Sequence, residues 1–95
     1  MVRHIVMWKL LDENKKENGL EMKKQLEALA GVIPGLRRAE VTFGFGEGAY
    51  DVCLYSELDD EAALKVYQEH PEHLKVKKLV HAVTCARAYC DSIMQ

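Results

Sequence analysis

The sequence predicts an α+β fold, a four-stranded antiparallel sheet with helices on one face, and three observations carry that prediction. The hydrophobic period switches between two and about 3.6 in the order β-α-β-β-α. A glycine-rich joint of hairpin type links the second and third alternating segments. One further strand after the last helix then completes a split β-α-β sandwich.

The first strand covers residues 2 to 10. One parity carries Val2, His4, Val6, Trp8 and Leu10, and the other carries Arg3, Ile5, Met7 and Lys9. Both faces are apolar at the centre, so the strand is expected to be central and covered on both sides. A single layer of helices covers one face only. A second copy of the chain pressed against the other face is the simplest cover, which predicts a homodimer closing a barrel between subunits.

From about Asn14 to Ile33 the spacing becomes helical. Met22, Leu26, Leu29 and Ile33 form one stripe, with Lys23, Lys24 and Glu27 expected outward, and Pro34-Gly35 stops the helix. Gly19 leaves the start open by about a turn. Residues 37 to 46 alternate again through Ala39, Val41, Phe43 and Phe45, and residues 50 to 57 through Tyr50, Val52 and Leu54. Between them, Gly44-Phe45-Gly46-Glu47-Gly48 lacks the Lys-Ser/Thr and the following helix of a phosphate loop, so it reads as a hairpin turn.

Asp59-Asp60 can cap a short helix that runs to His70, where Pro71 ends it or opens another through about Val80. In that next helix His73, Val76 and Val80 share a face while Lys75 and Lys78 look outward. The last strand, about Val83 to Asp91, is weak in composition and is assigned by completing the pattern.

Composition excludes some functions. The 95 residues suit one domain and carry a net charge of −2, with 13 basic and 15 acidic residues interspersed. That gives no footprint for nucleic acid or an anionic membrane. The Lys75, Lys77 and Lys78 cluster reads as a solvated helix face. Ile5 to Trp8 is too short an apolar run for a signal or a membrane span. Cys53, Cys85 and Cys90 are odd in number and lack a C-x-x-C pair. Reduced, mostly buried thiols and a cytoplasmic location are expected.

The chemistry gathers around the His70-Pro71 bend, where Tyr67, His70 and His73 fall at i, i+3 and i+6. Bond making or breaking beside a carbonyl needs one group to remove a proton and another to hold the developing oxyanion. An imidazole, with an ordinary pKa of about 6.5, and a phenol suit those two roles. The plain alternative is that they satisfy each other and nearby carbonyls at a helix corner. His70 is expected to cap a helix end and also to converge with His4, Tyr67 and His73 on one cavity as a ligand-binding residue, and His4 to be a buried strand histidine whose parity lets it line that cavity. His81 is expected to be exposed or capping and unrelated to the site. The expected cavity lies between the sheet and the second and third helices, walled by Val6, Trp8, Met22, Leu26 and Leu54. His70, His73 and His4 could share a metal only across Pro71, with Glu69 and Glu72 facing outward, so no metal and no cofactor is expected.

In order, the chain presents Arg3-His4-Ile5-Val6-Met7-Trp8-Lys9, Ile33-Pro34-Gly35, Tyr50-Asp51-Val52, Tyr67-x-x-His70-Pro71-x-His73 and Asp91. These motifs resemble the stress-responsive A/B barrel domain (Dabb) family, whose domain would occupy residues 2–92. The resemblance implies a ferredoxin-like subunit in a dimeric α+β barrel. It also implies, from a plant polyketide cyclase of that family, an aldol-type ring closure run without metal by a tyrosine and a histidine that match Tyr67 and His73. Other pocket histidines of that cyclase match His70 and His4. Aromatic positions of its first helix are Met22 and Leu26 here, and the last strand brings Arg87, which argues against a long polyketide tail. Three function classes follow. One is a small-molecule-binding domain doing cofactor-independent acid–base chemistry of cyclase or lyase type on a carbonyl compound. The second is a non-catalytic, stress-associated or ligand-binding structural protein, and the third a cofactor-free oxygenase or haem-linked enzyme.

Overall fold

Strand β1 spans Val2–Leu10 and is paired on both sides, as its doubly apolar centre predicts. With β2 (Leu36–Phe43), β3 (Val52–Leu58) and β4 (Thr84–Ile93) it forms one sheet in the order β2-β3-β1-β4, every neighbour antiparallel. This is the ferredoxin-like arrangement. The computed structural model describes residues 1–94.

Helices α1 (Lys15–Ala28), α2 (Glu61–Glu69) and α3 (Pro71–Val83) supply the other half of the core. The sheet side of that core is one parity of each central strand: Val2, Val6, Trp8 and Leu10 from β1, and Val52, Leu54 and Leu58 from β3. The helix side is the predicted stripe of Met22, Leu26, Leu29 and Ile33, joined by Ala63, Tyr67, Val76 and Val80. The opposite parity of β1 behaves differently: Ile5 is half-buried and Met7 exposed on a sheet face that no helix covers.

The helix expected over Asn14 to Ile33 ends early. After Ala28 the chain tightens into a 3-10 turn over Leu29–Gly31. Val32 and Ile33 both donate their N–H to the Leu29 carbonyl, which keeps the stripe buried while the chain turns toward Pro34. At Gly35, φ is +85°, and a Cβ would stand 2.7 Å from Ala63 Cβ, so both conformation and space demand glycine. The expected outward Lys23 and Glu27 are half-buried instead. The Lys23 ammonium donates to the Val41 carbonyl, and the Val41 N–H donates to the Glu27 carboxylate. These bonds tie α1 to the otherwise unpaired edge of β2, and the Lys23 ammonium, which also donates to Glu27, together with the Val41 N–H holds the Glu27 carboxyl below its usual pKa.

Strand β2 stops at Phe43, so Phe45 lies in the hairpin loop and is 98% exposed rather than facing the core. α3 runs three residues beyond Val80, and the Thr84 hydroxyl closes its end by donating to the Val80 carbonyl. The expectation of mostly buried thiols fails: Cys53 is half-buried, and Cys85 and Cys90 are exposed, because β4 is an edge strand with little covering it. All three are free.

Candidate functional site

Two local devices build the corner that carries the site. Asp60 caps α2 by accepting the Ala63 N–H at 2.8 Å. At its other end His70 adopts an extended conformation, and its Nδ1 accepts the Glu72 N–H at 3.1 Å, so it caps α3 with Pro71 at the first helical position. The side chain of His70 is thus committed to the backbone. It does not line the cavity, so the expected convergence of His70 on the site fails because its ring serves as the helix cap.

The bend turns Tyr67 and His73 toward each other. Their rings lie 4.3 Å apart, centre to centre, and His4 approaches the Tyr67 ring edge-on at 5.8 Å. A cavity of about 280 Å³ opens beside them, bounded at depth by His4, Val6, Trp8, Leu26, Leu54 and Tyr67. Its size is at the small end of the ~300–1,000 Å³ usual for small-molecule sites. Met22 is 0% exposed within the core and does not line this cavity, so it is no wall of it. The other expected walls are in place.

Apart from Arg87, which the family resemblance brings in from the last strand, the rim was not foreseen. Gln68, Lys77, His81 and Arg87 also line the cavity, and all four are exposed. His81 is therefore exposed as expected, but it belongs to the site. Helical spacing held a signal for two of them, since Lys77 and His81 follow His73 by four and eight residues and fall on one face of α3. Arg87 sits opposite Trp8 across the β1–β4 ladder, a register that no local pattern reveals.

Hydrogen bonds orient both histidines. His73 Nδ1 donates to the Gln68 carbonyl at 3.3 Å, which leaves Nε2 as the basic nitrogen. His4 Nδ1 donates to the Asp91 carboxylate, its partner across the ladder, so the pair buries an oriented imidazole beneath the phenol. Burial sets the remaining chemistry. It lowers the pKa of His73, against the Gln68 carbonyl that raises it and with help from Lys77, His4 and Arg87. Burial alone pushes the Tyr67 phenol up to about 12. At neutral pH a neutral imidazole therefore faces a protonated phenol. Among the described residues nothing hydrogen-bonds the Tyr67 hydroxyl and no buried polar side-chain atom lacks a partner, so that hydroxyl is open to the cavity. Also among the described residues, no three His, Cys, Asp or Glu side chains gather as a metal-holding group.

Comparison with known proteins places this chain in a family. The chain is 39% identical over 80 residues to an uncharacterized protein of Streptomyces coelicolor, covering 77% of this chain and 79% of that one. It is similar to a dimeric protein of unknown function and ferredoxin-like fold from Bacteroides fragilis, with TM-score 0.84 and 34% identity over 98% of this chain and 95% of that one. The hydroxynitrile lyase of Passiflora edulis shares the fold, with TM-score 0.88 at 15% identity over 99% and 93% of the two chains. The family model described as the stress responsive A/B barrel domain matches residues 2–94, and the chain belongs to that family.

Proposed function

We propose that this chain is a small-molecule-binding enzyme that performs cofactor-independent acid–base chemistry beside a carbonyl. The observation that carries this reading is the Tyr67–His73 pair at 4.3 Å on the wall of a cavity with an apolar floor. His73 Nε2 removes a proton from the carbon next to the carbonyl. The electron pair moves onto the carbonyl oxygen, and the Tyr67 hydroxyl holds the developing oxyanion. A phenol with a pKa of about 12 donates that hydrogen bond without losing its own proton. The Asp91–His4 pair is a positioning element, since it fixes the imidazole against which Tyr67 packs.

The working unit is a homodimer joined through the helix-free sheet face, in keeping with the dimeric state of the similar Bacteroides fragilis protein. Three free thiols, two of them exposed, suit the reducing cytoplasm. No helix among the described residues is long and apolar enough to cross a membrane.

Deuterium exchange beside the carbonyl of small ketones and aldehydes, followed by NMR in heavy water, tests the chemistry. Wild type accelerates exchange. His73→Ala loses about 10²–10⁴-fold of that acceleration, and Tyr67→Phe about 10²–10³-fold. Binding that persists in wild type without any exchange above the His73→Ala background would make the protein a non-catalytic ligand carrier.

A further inference from the structure

The rim of the cavity carries one sign of charge. Lys77 and Arg87 line it, His81 adds a third group able to become cationic, and among the described residues no aspartate or glutamate lines it. The two permanent cations come from different elements, α3 and β4, so their convergence is a product of the fold and not of a basic run. Among the described residues neither has a carboxylate within ion-pair distance. The Arg87 guanidinium instead lies 4.7 Å over the Tyr89 ring, which holds it in place while its N–H donors stay free. Both cations also lower the pKa of His73, so their fields reach the ring.

Opposite this rim the interior is mostly apolar, with the His4 imidazole, hydrogen-bonded to Asp91, as a polar side chain at depth. Val6, Trp8, Leu26 and Leu54 offer apolar surface, and Tyr67 and His73 stand between the two zones. A ligand that satisfies all three zones needs an apolar tail, a carbonyl in the middle and an anionic head. Resting on the acid–base reading above, we propose that the ligand is a small oxo acid whose carboxylate is held by Lys77 and Arg87. The planar guanidinium fork matches a carboxylate, and the ammonium adds a point charge. The small volume admits a medium-length chain. In the exchange step the C–H bond next to the carbonyl breaks and its proton passes to His73. The carbonyl π pair moves to oxygen as the C=C bond forms, and reversal returns a solvent deuteron to carbon.

The probes are 2-oxooctanoate and its uncharged counterpart 2-octanone, titrated by NMR into the wild-type protein and into the Lys77→Gln/Arg87→Gln variant. Both substituted positions are exposed, so the variant is expected to keep the wild-type far-UV circular dichroism. In wild type the oxo acid binds about tenfold or more tightly than the ketone, and the double substitution removes most of that preference. Equal affinity for the two probes, a preference that survives the double substitution, or no binding of the oxo acid at millimolar concentration each overturns the proposal. Deuterium exchange read on the same samples separates the two ideas. Charge-dependent binding without exchange keeps the anion site and sinks the acid–base chemistry. Equal exchange and equal affinity for both probes keep the chemistry and sink the anion site.

Discussion

The two faces of the sheet are made from the same strands yet do different work. On β1, His4, Val6 and Trp8 are buried under helices, while Ile5 and Met7, one residue away, lie on a face with no helix. On β3, Leu54 is 1% exposed and its neighbours Cys53 and Tyr55 are half-buried. The covered face encloses the core and the cavity. The open face has an apolar centre of Ile5, Met7, Cys53 and Ala88, and a polar end where Arg3 donates to the Tyr55 hydroxyl and Tyr55 donates to Glu57. Period-two geometry thus lets one strand line the covered core and cavity with one parity and an uncovered apolar patch with the other.

The largest expected effect separates the faces by stability. Leu54→Ala removes a fully enclosed side chain and costs about 2–5 kcal/mol. Met7→Ala, on the open face, costs the fold of the subunit itself about 1 kcal/mol or less when read at protein concentrations that populate the monomer. Urea midpoints measure both, and equal losses would erase the distinction.

Ile5→Asp attacks the open face as a surface for association. It places a charge at the centre of the apolar patch in both subunits, so the dissociation constant should rise about 100-fold, or about 2.8 kcal/mol. Sedimentation at micromolar concentration then reports a 10.8 kDa monomer, with far-UV circular dichroism unchanged. A wild-type protein that is already monomeric would remove the open face from any role in assembly.

The smallest effect belongs to the covered face and its pH dependence. Burial lowers the pKa of His73 from 6.5. Between the folded pKa and 6.5 the unfolded chain binds more protons, so this contribution to stability is full above 6.5 and is lost as pH falls through the folded value. His73→Gln should flatten that part of the curve of denaturation midpoint against pH. An unchanged slope would mean that the imbidazole is equally solvated folded and unfolded.

Much of the fold was legible because it is local. The alternation in residues 2 to 10, the stripe from Met22 to Ile33 and the Asp60 and Pro71 signals each depend on neighbours a few positions away. The misreadings have local causes as well. Phe45 continues the alternation of β2, but the ladder ends at Phe43 opposite Val52, so the pattern outlasts the pairing. Cys85 and Cys90 were expected inside because thiols usually are, but they fall on an edge strand.

By itself the sequence determined which residues share a face, the capped start of α2 and the Pro71 bend that opens α3 between Tyr67 and His73. Those are consequences of short-range period and capping. Only the tertiary structure decided what stands across from them. Antiparallel register puts Asp91 opposite His4 and Arg87 opposite Trp8, and packing brings Lys77 of α3 to the same rim. Nothing in a strand's own alternation names its partner residue, because register is a property of two distant segments paired through space.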